Sequence, residues 1–186
     1  MYQIKYPDEA DKSVIIKCFP GIFQLEEENR ERVLTAYHTV LTNSTFTTLE
    51  EIPFSAHCTH YGFVDHVNEV VDLGLHMEEY AEKKWNDGWT EKVDREELLL
   101  LLLLHDIDKP LLLSEGYTQD IPHGVLGAML LKELGFSNRI VALVATHSPK
   151  SFHHVEDPMA QILHYSDLNS ADHIYMLIHR RPFYFG

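Results

Sequence analysis

Seven consecutive leucines, at positions 98–104, run straight into His105-Asp106. No polar residue interrupts the run. A helix built on it has no face to give to water and must be surrounded by other elements. A membrane span needs about 18 or more apolar residues, and this run is bounded by Glu96-Glu97 on one side and His105-Asp106 on the other. The run is therefore expected to form a core helix that ends on a histidine and an aspartate.

The rest of the chain is read around that helix. Leu25, Val33, Ala36, Tyr37, Val40 and Leu41 recur at mostly three- and four-residue spacing, which predicts an amphipathic helix ending near Asn43. Val64, Val67, Val70, Val71, Leu75 and Tyr80 predict a second long helix. Asp94, with Glu97 three residues on, forms a capping-box start for the leucine helix, which should fray near Asp108, before Pro110. Pro122 suits a first helical position, with a helix over 123–134 stopped by Gly135. Ser137 caps a helix reaching His147, and Asp157-Pro158 opens a last helix through Ile162, Leu163, Tyr165 and Leu168. Residues 1–24 read as an irregular extension, with Val14-Ile15-Ile16 as one short strand and Pro20-Gly21 as a turn. The expectation is an all-α helical bundle over 25–186 with a short irregular N-terminal segment.

Composition narrows the function classes. The chain has 186 residues, enough for one core, and a formal net charge of −14. That balance argues against binding a nucleic-acid polymer, which calls for a basic face. Two cysteines, Cys18 and Cys58, exclude a disulfide framework and an all-cysteine zinc site. With acidic residues where a signal peptide would be positive, they point to a cytoplasmic setting. Trp85, Trp89 and Phe183-Tyr184-Phe185 are candidates for a homodimer interface. The unusual count is histidine, 13 copies against 15 lysines and arginines together.

A lone histidine among so many is ordinarily a surface or core residue, and the signal is the ordered set. His66 stands in the second helix, His105 and Asp106 close the leucine helix, His123 opens the next, His147 closes the one after, and Asp167 lies in the last. Four imidazoles and two carboxylates suit Fe, Mn, Zn, Co or Ni better than a thiolate-loving ion. Six ligands exceed what one metal with an open position uses, and fit two ions sharing a carboxylate. Asp106 is the natural bridge, because its two oxygens can face two ions. Asp172, beside His173, is the rival to Asp167 for the last ligand.

In this frame the chain resembles the HD-domain superfamily of metal-dependent phosphohydrolases over about residues 60–178. The resemblance is carried by HVNEVVDLGL from His66, LLLLHDIDKP ending at Pro110, PHGVLGAMLL from Pro122, ALVATHS around His147 and ILHYSDLNSA around Asp167. It implies one metal held by His66, His105, Asp106 and Asp167. His123 and His147 resemble the dinuclear branch, where Asp106 is shared with a second ion. Bacterial HD-domain diadenosine tetraphosphate hydrolases look like the nearest hydrolytic relatives. HD-domain mixed-valence diiron oxygenases, which cleave C–P or C–C bonds, use a similar six-ligand set. Where they place a tyrosine and a glutamate, this chain has Ala56 and Thr59.

The expected cofactor is thus two divalent ions, drawn from Fe, Mn, Co, Ni, Zn or Mg. Two such ions outweigh the two aspartates, so the pocket attracts an anion inside an acidic protein. The expected reaction is hydrolysis of a small phosphate ester or nucleotide by a metal-activated water, centred on Asp106. The alternatives are the oxygenase, acting on a phosphonate for instance, and a binding module stabilised by metal. Lys109 and Lys150 are candidates for a substrate phosphate, and His57 and His60 for substrate contact at the pocket mouth. His164 reads as core, and His153-His154 as an exposed loop.

Overall fold

The computed structural model describes residues 2–84, 93–114 and 121–182. Its helices are α1 (Glu9–Cys18), α2 (Glu27–Thr42), α3 (Phe63–Lys84), α4 (Arg95–Leu104), the single turn α5 (Lys109–Leu112), α6 (Val125–Glu133), α7 (Asn138–Thr146) and α8 (Pro158–His179). Strands β1 (Pro53–Ser55) and β2 (Cys58–Gly62) form an antiparallel hairpin, pairing Pro53 with Gly62 and Ser55 with Cys58. The fold is mostly helical, as the periodicity predicts. Among the described residues no helix is long and apolar enough to cross a membrane.

Helix α4 is the axis of the molecule. Every leucine from 98 to 104 is at most 4% exposed, because α2, α3, α7, α8 and the turn at Pro20–Gln24 pack around it. Asp94 caps it by accepting from the Glu97 amide at 2.9 Å. At its far end the Tyr37 hydroxyl donates to the Leu103 carbonyl, a group left without a helical donor where the helix stops. Tyr37 is held for that task by Phe19, stacked on it at 4.2 Å, and by Phe63 at 6.4 Å.

Three local expectations need correction. Within the segment expected to be irregular, Glu9–Cys18 and Pro20–Gln24 are helical while 2–8 has no regular element, and Val14-Ile15-Ile16 is not a strand: it lies inside α1. Asp8 and Asp11 form a reciprocal capping box, with side-chain acceptor distances of 2.9 and 3.1 Å, that starts the helix. Helical spacing then buries Ile15 and Cys18 while leaving Val14 half exposed, and that burial outweighs the strand preference of three β-branched residues. Second, the leucine helix stops at Leu104, and Pro110 stands in the first turn of α5 instead of terminating a longer helix. Third, Pro122 is not the first residue of α6, which begins at Val125. The hairpin at 53–62 went unread because its strands are too short to show alternation. Trp85, Trp89, Phe183, Tyr184 and Phe185 lie outside the described residues.

α7 and α8 start as read. Ser137 accepts from the Ile140 amide at 3.2 Å, and Asp157 from the Met159 amide at 2.8 Å, with Pro158 next. Arg139 ties α4, α7 and α8 together by pairing with Glu97 at 2.8 Å and Asp157 at 2.7 Å. Both cysteines are free and buried.

Candidate metal centre

The C-terminal ends of α4 and α7, the approach to α6, the first turn of α3 and the middle of α8 meet at one point. There His66, His105 and Asp167 form one cluster, and Asp106, His123 and His147 a second. Within each, ligating atoms lie within 4.8 Å of one another. Asp106 faces both. Its Oδ2 is 3.1 Å from His66 Nε2 and 3.3 Å from His105 Nε2; its Oδ1 is 2.8 Å from His123 Nε2 and 3.5 Å from His147 Nε2. Asp167 Oδ1 stands 3.3 Å from His66 Nε2. The rival Asp172 is not in either cluster.

The four imidazoles all present Nε2, because each Nδ1 is engaged from behind. His105 Nδ1 donates to the Leu102 carbonyl at 2.8 Å, and His147 Nδ1 to the Val144 carbonyl at 2.7 Å. A carbonyl only accepts, so in these two rings Nδ1 carries the proton and a neutral ring offers a lone pair at Nε2. His123 Nδ1 lies 3.0 Å from Asp108 Oδ1, and His66 Nδ1 3.0 Å from the Ser170 hydroxyl. Burial, opposed by Asp106, lowers the His105 pKa and keeps that ring neutral.

This arrangement brings acceptors face to face. His66 Nε2 and His105 Nε2 are 3.2 Å apart, with carboxylate oxygens of Asp106 and Asp167 beside them. Asp106 Oδ2 is buried and makes no hydrogen bond, although the Lys109 ammonium touches it as an ion pair. Lone pairs converging in a buried space need a cation among them. The donor set, imidazole and carboxylate, is that of a borderline divalent metal. Burial alone would raise the pKa of both aspartates. Lys109, His105 and His123 outweigh it for Asp106, and the His66 and His105 rings for Asp167, so both carboxyls sit below the usual range and stay ionised.

His123 shows why α6 starts late. Gly124 stands at φ +86, and a Cβ there would meet the Val144 carbonyl at 2.6 Å. The turn releases His123 from the helix toward Asp106. Asp108 Oδ2 then accepts from the Gly124 amide at 2.6 Å and from the Gly127 amide at 3.4 Å, the second doing for α6 what a side chain at its own N-cap would do. Burial would lower the His123 pKa, but Asp108 and Asp106 raise it to about 10. A close approach at Gly127, whose Cβ would lie 2.8 Å from Ile107 Cγ2, holds α6 against the turn after α4.

Of the four substrate-contact candidates, Lys109 is brought into the centre, touching Asp106 and lying 4.0 Å above the Phe54 ring. His57, His60 and Lys150 are exposed, and among the described residues no contact joins them to the clusters. His164 is half buried and, with His147, lines a cavity of about 550 Å³ between α7 and α8. His153 and His154 are exposed, as read. The sequence reading missed Asp108, Phe54, Glu69 and Ser170. Asp108 had a signal, a second carboxylate beside His105-Asp106; Phe54, which meets the His66 ring edge-on at 4.6 Å, had none.

The HD domain family model matches residues 63–176. No curated protein and no solved structure matches the chain. A histidine-aspartate dyad at the end of a buried helix, three further histidines and a distant aspartate gathered around it, and a family match over more than half the length agree: the chain belongs to the HD-domain family, the superfamily of metal-dependent phosphohydrolases, and its cluster is suited to divalent metal.

Proposed function

We propose that the protein is a dinuclear phosphohydrolase that cleaves a small phosphate ester or nucleotide. His66, His105 and Asp167 would hold one ion, His123 and His147 the other, and Asp106 both. The single observation that carries this reading is Asp106, with one oxygen turned to each cluster. Divalent metal supplies the Lewis acidity for phosphoryl transfer to water.

The protein's own residues do the rest. Asp106 stays ionised, so a shared anionic ligand is present at neutral pH. Lys109 carries a cation beside Asp106, its ammonium over the Phe54 ring, where it can meet a substrate phosphate oxygen as its contact with Asp106 loosens. The cavity beside His147, lined by Leu143, Val155, Leu163 and Tyr165 as well as His164, supports a substrate whose organic part is apolar or aromatic.

A panel of phosphate monoesters, diesters and nucleotides with added Mn, Co, Ni, Fe or Mg tests the reaction. Turnover that requires metal and disappears in Asp106→Asn is expected. No hydrolysis of any phosphate ester with any of these ions overturns it.

A further inference from the structure

His66 lacks the support its neighbours have. His105 and His147 each reach back three residues to a carbonyl freed at a helix C-terminus. His66 sits in the first turn of α3, so only a side chain from another element can hold its Nδ1. That side chain is Ser170, fully buried in the middle of α8.

Ser170 behaves unlike Ser166, one turn earlier. The Ser166 hydroxyl donates to the Ile162 carbonyl at 2.8 Å, the ordinary resting place of a helical serine. The Ser170 hydroxyl donates instead to Glu69 Oε2 at 2.7 Å. A carboxylate only accepts, so the serine proton is committed to Glu69 and the serine lone pair faces His66 Nδ1 at 3.0 Å. The ring must then donate from Nδ1 and present a bare Nε2. Glu69 is itself held by the Tyr61 hydroxyl from β2 at 2.9 Å and by His173 Nδ1 from α8 at 3.0 Å.

We propose that Glu69 is a positioning residue of the metal centre: through the Ser170 hydroxyl it sets the tautomer and orientation of His66, with Tyr61 and His173 holding its carboxylate in place. The inference rests on the reading of His66 as a metal ligand. It assigns the relay to the His66–His105–Asp167 cluster alone, since the other three histidines have supports of their own. Outer partners of this kind are worth about 10- to 100-fold in metal affinity.

The test uses the full chain, titrated with Co(II) against a chromophoric chelator, with long-range 15N imidazole spectra recorded after chelator treatment. Ser170→Ala is expected to weaken one ion about 10- to 100-fold while the other holds, and to mix the His66 tautomers. In a double-mutant cycle, Glu69→Ala should weaken the same ion in the wild-type background and do little once Ser170 is alanine. Glu69→Gln, which keeps the shape, repeats the affinity measurement if either alanine variant fails to fold, and is expected to weaken that same ion. A His66 ring that remains pure Nδ1–H in Ser170→Ala overturns the proposal. So does a Glu69→Ala effect of undiminished size in the Ser170→Ala background, or a Glu69→Gln affinity unchanged within twofold. A wild-type chain that holds two ions yet hydrolyses no phosphate ester sinks the proposed reaction and leaves this relay standing.

Discussion

The two halves of the centre are built on different principles. The His66–His105–Asp167 cluster draws on the long helices α3 and α8 and the end of α4, and its two histidines have fully buried side chains. The Asp106–His123–His147 cluster is built at helix ends and a turn, and the side chain of His123 is 32% exposed. The first is held by packing of long elements and by side chains at long range. The second depends on a carboxylate, Asp108, and a glycine, Gly124, within one turn of its ligands. Ligands enclosed between long packed helices are rigid wherever the core is rigid, whereas a ligand on a partly exposed turn must be held by its own local bonds.

Asp106 is the one residue common to both, so it gives the largest effect. Asp106→Asn should empty both halves and lower hydrolysis by at least about 10³-fold, more than the loss of a single transition-state donor. Retention of either ion would show that the halves are independent. His123→Ala should remove one ion and spare the other, read as metal per chain after dialysis. Unchanged stoichiometry ends the dinuclear assignment.

Gly124→Ala comes next. Positive φ and the clash with the Val144 carbonyl should cost about 1–3 kcal/mol of stability, and the second ion should weaken more than the first. Equal weakening of the two would mean the halves share one scaffold after all.

The smallest effect is in protons. Folding raises the His123 pKa to about 10, so at neutral pH an ion entering that half must expel a proton. Calorimetry in buffers of different ionisation enthalpy should find about one proton released with the second ion, and binding that strengthens as pH rises. For chelator-treated protein the sign follows from the same shift. The stabilisation from protonated His123 is complete below the ordinary imidazole pKa of about 6.5. It is lost as pH climbs through about 10. His105 should release no such proton, because burial already keeps that ring neutral.

Legibility followed the same division. The leucine run, the Asp94, Ser137 and Asp157 caps and the recurrence of Val67, Val70 and Val71 each depend on neighbours within a turn, and the corresponding helices are present. The positions of His66, His105, Asp106, His123, His147 and Asp167 were readable as a set because they follow in order on or beside successive helices, His105 and Asp106 together at one end. Their supports were not. Glu69 and Ser170 are 101 residues apart, and nothing in the stretch around either marks one as the other's partner. Asp108 looked like the frayed end of α4, because its role is to start a helix sixteen residues later.

Sequence alone therefore determined that a helix with no polar face must sit at the centre and end on a histidine and an aspartate, since burial of leucine and helix capping act over a few residues. Only the tertiary structure decided that residues 9–18 are helical, that Phe54 leans on His66 and Lys109, and which oxygen of Asp106 turns to which cluster. Those outcomes depend on how distant segments pack, and a side chain's direction in a core is settled by everything that surrounds it.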